Sequence, residues 1–390
     1  LALSGSAAVN TVGIQCNDLL VSGGTLTVLQ QATPAGQDPE LTASLVGGYQ
    51  RNGTLNVSGG VVSTPYLKLG LTSGHTGTYV QTGGYTVVGT ALAVGSDANQ
   101  ASGSGVGVVN ISGGVTSTAA LRVGSTNGGT GSVAVTGTGF LTVSGSTTVL
   151  RGSSLSIANG GRVVLTPHGS IDSPGYTADT ISAAAVSGGG TIDVTNHAID
   201  MPGANLAVVN AMVRSGYANG AWNGTGIDSS AAANDTTHTT TVGVILNNDG
   251  DGNPIYTPSL VMPPDKKRLG LFQGDDPQVN DVLIAYTYYG DANLDGKVDG
   301  SDYSLIDNGY ANHMTGFYNG DYNYDGVIDG SDYTLMDNAF NSQAASFGPS
   351  AEVAAITSLV APAAVPEPAA VTLVCLGSAA LVLRRRRGAI

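Results

Sequence analysis

Cysteine is almost missing. The 390 residues hold two, Cys16 and Cys375, which excludes a disulfide framework and leaves them reading as two free thiols. Charge is scarce, at 11% of residues, less than half of ordinary usage. Bases are scarcer than acids, 14 Lys and Arg against 28 Asp and Glu, so the basic footprint of a nucleic-acid binder is absent. Aromatics reach only 6%, with one Trp, and this composition argues against a compact helical enzyme. Leu1–Asn10 has neither a basic start nor an apolar core, so no signal peptide is visible and the sequence reads as cut upstream.

Glycine is abundant: 58 residues, about twice ordinary usage. With Thr, Val and Ser it favours many short strands joined by tight turns. The length allows two or three domains.

The N-terminal half repeats. Gly53-Thr54-Leu55-Asn56-Val57-Ser58-Gly59-Gly60 returns from Gly77 to Gly84, from Gly107 to Gly114 and, weakly, from Gly131 to Gly137. The spacings are 24, 30 and 24 residues. A second run follows each of the first three: Leu67–Gly70, Leu92–Gly95 and Leu121–Gly124, its last glycine 17, 18 and 17 residues after the opening one. Alternation sets Leu55 and Val57 on one face, as it does Val109 and Ile111. A unit this short cannot enclose a core alone, but stacked copies can, which predicts a right-handed parallel β-helix. Ser96–Ser104 accounts for the longer period as a loop pushed out of a corner. The pattern resembles the autotransporter-associated β-strand repeats of bacterial surface proteins over about Gly24–Ile171. Residues 1–170 carry four acids, Asp18, Asp38, Glu40 and Asp97, too few for a paired-carboxylate hydrolase. His75 and His168 stand alone. No catalytic residue is assigned, and the chain is not read as an enzyme.

Residues 172–285 break the repeat and form a small mixed α/β region. Thr191–Val194 reads as a strand, and Ala204–Met212 as a short helix with Leu206, Val209 and Met212 at helical spacing. Trp222, in a turn-rich stretch, fits a small core better than an exposed sugar platform. Asn247–Asn253 reads as a polar hairpin tip, and Val282–Tyr289 as a strand leading into the next module.

The strongest signal follows. Gly290–Tyr310 and Gly320–Phe340 match at 13 of 21 positions. Each holds D-x-N-x-D-G-x-x-D-x-x-D, the spacing of a twelve-residue calcium loop. Calcium takes six to eight hard oxygens. Asp291, Asn293, Asp295, the Lys297 carbonyl, Asp299 and Asp302 supply them in the first loop. Asp321, Asn323, Asp325, the Val327 carbonyl, Asp329 and Asp332 do so in the second. Gly296 and Gly326 permit the turn. Without a cation the carboxylates repel, so binding two Ca²⁺ is expected to couple to folding. Tyr303, Leu305 and Ile306, with Tyr333, Leu335 and Met336, are expected to pack two following helices together.

Asp at position 12 and the lack of a helix before each loop, in tandem, resemble a type I dockerin module over about Gly290–Phe340. The resemblance implies docking to a cohesin-like domain through Gly300, Ser301, Asp307, Asn308, Gly330, Ser331, Asp337 and Asn338. These residues differ from the hydroxyl and basic pattern common among cellulosomal members. A structural calcium clip is the alternative.

Gln343–Ala364 reads as an Ala/Ser/Pro linker. Val365-Pro366-Glu367-Pro368, an apolar helix over Ala369–Leu383, and Arg384, Arg385, Arg386 and Arg387 follow. A fifteen-residue helix spans about 22 Å, short of the ~30 Å hydrocarbon core, though snorkelling arginines cover part of the mismatch. The order resembles the PEP-CTERM sorting signal, which implies an exosortase-type processing enzyme and a membrane contact through this helix before processing.

The sequence is therefore read as mainly β: 1–171 β-helix repeats, 172–285 a connecting domain, 286–342 the dockerin-like module, 343–364 linker, and 365–390 sorting signal. The expected role is structural or adhesive at the cell surface or in extracellular polysaccharide. The alternative is the docking part of a polysaccharide-degrading system.

Overall fold

Short glycine-bounded runs of alternating apolar and polar residues become strands with one buried face. The structure, a computed structural model, describes residues 2–9, 12–14, 17–29, 44–166, 177–258 and 269–346. Cys16, Cys375, His168, most of the linker and the whole sorting segment lie outside the described residues. Leu1–Gln343 form one compact unit. The protein is mainly β, with an eight-stranded sheet and a larger one whose pairing closes on itself.

The eight-stranded sheet follows the sequence repeat. Gly53–Val57, Thr76–Gln81, Val106–Ile111, Thr130–Thr136 and Ser154–Ala158 pair in parallel, each with the strand one repeat on. Gly53 lies opposite Gly77, Gly77 opposite Gly107, and Gly107 opposite Gly131. This register stacks Leu55, Tyr79, Val109, Val133 and Leu155 in one fully buried column. Val57, Gln81, Ile111, Val135 and Ile157 form the next. A slip of one residue would expose both columns, so the alternation itself holds the register.

In the other sheet, Val61–Leu69 and Tyr85–Val94 pair along two stretches, with a register shift between Val88 and Ala91. Each strand thus serves two walls. Leu67, Leu92 and Leu121 stack on one wall, beside Leu69, Val94, Val123 and Val149. Tyr79 and Gln81 introduce polar atoms into this core. The Tyr79 hydroxyl donates to Thr86 Oγ1 at 2.8 Å, and Gln81 Nε2 donates to the carbonyls of Gly84 and Val115 at 3.0 and 3.1 Å. Burial pushes the Tyr79 hydroxyl pKa up, so it stays neutral. Ser96–Ser104 does leave the wall, and Gln100 anchors it by donating to Gly124 O at 3.0 Å.

The Gly-Gly corners, each preceded by Ser or Thr, stack directly. Gly60, Gly84 and Gly114 have φ of +70°, +69° and +73°, and a Cβ on Gly84 would stand 2.6 Å from the Gly60 carbonyl oxygen. Gly84→Ala is expected to destabilise the protein by at least the roughly 1–3 kcal/mol of a strained left-handed residue. A urea midpoint equal to that of the parent would show that the corner relaxes instead.

The parallel ladder continues past residue 171. Arg162–Leu165 pairs with Thr191–Asp193, which pairs with Gly226–Asp228. Pairing then turns antiparallel: Val282–Tyr288 lies between Ala198–Met201 and Thr240–Leu246. Helix α1, Leu206–Tyr217, starts at Asn205, whose Oδ1 accepts from Ala207 N at 2.9 Å and Val208 N at 3.3 Å. It crosses Gly226–Asp228 at Gly216, where a Cβ would stand 1.8 Å from Ile227 O. Trp222 is 1% exposed and edge-on to Tyr217, ring centres 5.3 Å apart, so it is a core residue. A short α2, Ser230–Ala233, follows. Asn248–Asn253 forms a turn at the start of the long connection to Val282–Tyr288 rather than a tight hairpin tip.

Candidate metal centre

Val282–Tyr288 delivers the chain into the first acidic loop, and each loop ends in a helix: α3, Gly300–Ala311, and α4, Gly330–Ser346. No long helix precedes either loop among the described residues; a strand leads into the first and the 3-10 turn Phe317–Asn319 into the second. The two copies fold alike. Leu294 and Tyr324 share a left-handed φ of 63° and 59°, and Gly296 and Gly326 one of 91° and 92°. Each loop enters over the other copy's helix. A Cβ on Gly290 would stand 2.5 Å from the Met336 side chain, and one on Gly320 2.5 Å from that of Ile306. Leu294, Val298, Ile306, Phe317, Tyr322 and Met336 are nearly fully buried. Gln343, near the end of α4, accepts from Val298 N at 3.0 Å and donates back to its carbonyl, clasping the first loop. α4 therefore runs into the segment read from sequence as linker.

The position-1 carboxylates are buried: Asp291 is 0% and Asp321 4% exposed. Asp291 Oδ1 accepts from Asp295 N at 3.0 Å and its Oδ2 from Gly296 N at 2.9 Å. Asn293 Oδ1 accepts from Asp295 N at 2.9 Å, and Asn323 Oδ1 from Asp325 N at 2.8 Å. Asp302 folds back across its loop. Its Oδ1 accepts from Ala292 N at 3.0 Å and its Oδ2 from Asp299 N at 2.9 Å. Asp332 repeats this with Tyr322 N at 2.9 Å and Asp329 N at 3.0 Å. Asp299 and Asp329 turn outward to cap the helices, each accepting from the following Ser301 or Ser331 backbone N at 2.8 Å. Lys297 and Val327 are exposed at the side chain, with Lys297 Nζ 3.3 Å from Asp299 Oδ2. Among the described residues no three His, Cys, Asp or Glu side chains converge around one point.

Burial pushes Asp302 up to about 7, and it holds Asp291 well above the usual carboxylate range, with the Asp302 charge adding to the effect. Asp295, Asp321 and Asp332 are raised for the same first reason. Asp299 and Asp329 are lowered by hydrogen bonds from Ser301 and Ser331. Asp295 Oδ1 and Asp321 Oδ1 are buried with no donor. Orphaned carboxylate oxygens in a hard-oxygen donor set fit a cation.

The eight residues named for partner recognition, Gly300, Ser301, Asp307, Asn308, Gly330, Ser331, Asp337 and Asn338, are all exposed. Several carry internal bonds as well: Ser301 Oγ and Ser331 Oγ each donate at 2.7 Å, to Asp299 Oδ1 and Asp329 Oδ1. Tyr303 donates to Asp337 at 2.6 Å and Tyr333 to Asp307 at 2.6 Å, tying the helices together reciprocally.

Three acidic clusters outside the loops escaped the sequence reading, because their members lie far apart in the chain. Asp179 Oδ2 is 3.0 Å from His197 Nδ1, both buried, and His197 Nε2 is 2.7 Å from the Thr166 carbonyl. Asp193 and Asp228 are register partners, and Arg162 reaches them at 2.8 and 4.0 Å. Burial and Asp193 push Asp228 up to about 7. Asp200, 3% exposed, is pushed up to about 8 by burial and by Asp281 and Asp275. Asp193, Asp200 and Asp228 are each nearly fully buried.

Among the described residues no helix is long and apolar enough to cross a membrane. No curated protein and no solved structure matches the chain. Residues 364–387 match the PEP-CTERM protein-sorting motif, and that segment marks the chain as one sorted for export to the cell envelope.

Proposed function

We propose that the chain is an exported structural or adhesive protein of the cell surface or its exopolysaccharide, without catalytic activity of its own. The match of residues 364–387 to the PEP-CTERM motif carries this reading. In it, the stacked parallel strands are a right-handed β-helical rod that spaces the C-terminal module from its surroundings. The in-register Gly53, Gly77, Gly107 and Gly131 support a coil of constant shape.

Two calcium ions load the EF-hand-like loops. Asp291, Asn293, Asp295, the Lys297 carbonyl, Asp299 and Asp302 hold one; Asp321, Asn323, Asp325, the Val327 carbonyl, Asp329 and Asp332 hold the other. The bound ion supplies positive charge that offsets the buried carboxylates. The chain's own residues pre-shape each loop by backbone-to-carboxylate hydrogen bonds. The paired orphan oxygens of Asp295 and Asp321 support this.

A second reading, docking to a cohesin-like domain within a polysaccharide-degrading assembly, has one observation in its favour. The exposed positions occur twice on α3 and α4 with the same burial pattern, 301–310 matching 331–340.

The sorting segment is tested by expressing the full chain and a form ending at Ala364 in a bacterium with an exosortase-type system. The full chain is expected at the envelope, with a mass lower by the Arg384–Arg387 end. The shortened form is expected to lose that placement. Equal distribution of both would sink the export reading.

A further inference from the structure

A cleft of about 360 Å³ lies between α1, the strand Thr240–Leu246, α3 and residues 314–319. That falls within the roughly 300–1,000 Å³ of small-molecule sites. Its lining is apolar in part, with Leu305, Met314, Phe317 and Tyr318. The lining also carries side-chain amides, among them Asn210, Asn308 and Asn319, and one carboxylate, Asp249. Among the described lining residues there is no Lys, Arg or His. Asn210 Oδ1 is buried with no donor, an arrangement that costs about 1–3 kcal/mol unless something donates to it. The other two amides are held in place: Asn319 Nδ2 donates to Thr315 O at 2.8 Å, and Asn308 Oδ1 accepts from Asn312 Nδ2 at 2.9 Å.

We propose that this cleft binds a neutral pyranose, such as one unit of an exopolysaccharide; the proposal deepens the adhesive reading and rests on it. An amide offers a donor and an acceptor side by side, which matches hydroxyls that both donate and accept. An apolar lining that includes the aromatic rings of Phe317 and Tyr318 suits the C–H face of a sugar. A phosphate or uronate finds no cation there. A turn of the Asn210 side chain toward the cleft would let a sugar hydroxyl give its buried Oδ1 the missing donor. Because α3 and residues 314–319 form one wall, the cleft needs the calcium module folded.

Saturation-transfer NMR on the full chain with calcium present tests this, using glucose, galactose, mannose and N-acetylglucosamine as probes and glucuronate as the charged control. At least one neutral sugar is expected to show transfer, with glucuronate silent. Asn210→Leu should weaken binding about tenfold, one hydrogen bond's worth. It also removes the orphan acceptor, so thermal stability should hold or rise. Asn308→Ala, at an exposed position, should weaken binding with the fold intact. No transfer from any neutral sugar, transfer unchanged in both variants, or preference for glucuronate would overturn the proposal. The readout uses purified protein, so failed export in the tail experiment leaves it independent.

Discussion

Calcium at about a hundredfold above each site's Kd is expected to stabilise the EDTA-treated full chain by roughly 5 kcal/mol, about 2.7 kcal/mol per site. For the compact unit Leu1–Gln343, at about 2.1 cal/mol/K of unfolding entropy per residue, that moves the melting temperature by about 7 °C. The reason lies in the buried carboxylates. Asp291 and Asp302 are 0% exposed, and without a cation each must be protonated or stand charged in low dielectric. Asp295→Asn with Asp321→Asn, which alters the two orphaned oxygens, should abolish most of the calcium shift. In EDTA the same variant should melt no lower than the parent, because two desolvated charges are gone. Calorimetry with and without calcium reads both effects. An unshifted parent, or a shift that survives in the variant, would remove the metal centre.

Asp200→Asn is expected to give the second large effect, by a different route. In the folded protein burial and the charges of Asp281 and Asp275 push the Asp200 carboxyl up to about 8. Unfolded, it returns to about 3.9. The folded state therefore binds the proton more tightly, and stability falls as pH rises between those two values. Above about pH 8 the full penalty is present, on the order of several kcal/mol. Asn cannot ionise, so the variant should gain stability that grows from pH 4 to pH 8 and then levels off. Asp228, raised to about 7, contributes a smaller total loss of the same sign that the variant retains. Denaturation midpoints across that range in EDTA decide it. A constant difference between parent and variant at all pH values would show that Asp200 is not held protonated.

Both predictions depend on burial, and burial separates what was legible in the chain from what was not. The Gly53, Gly77, Gly107 and Gly131 spacing already contained the strand stacking, because side-chain alternation and turn glycines are local properties. The duplicate acidic loops were legible because all the proposed ligands of each fall within twelve consecutive residues. The core placement of Trp222 followed from composition and size.

The end of the repeat at residue 171 was not legible in the same way. Thr191–Asp193 and Gly226–Asp228 carry no repeat spacing, yet they continue the parallel ladder because strand pairing needs shape and backbone groups rather than a matching motif. Nor did the sequence reveal that Gln343 clasps Val298, 45 residues away, or that Tyr303 and Tyr333 bind Asp337 and Asp307 reciprocally.

The sequence by itself determined the strand period, the duplicated acidic loops and the order Pro-Glu-Pro, apolar run, Arg cluster. All three are written in contiguous residues, where spacing alone sets which atoms can meet. Only the tertiary structure decided which carboxylates are desolvated, that Asp200 meets Asp275 and Asp281, and that Asn210 faces a cleft walled by α3. Those outcomes depend on which distant segments exclude water from one another, and no local pattern encodes that.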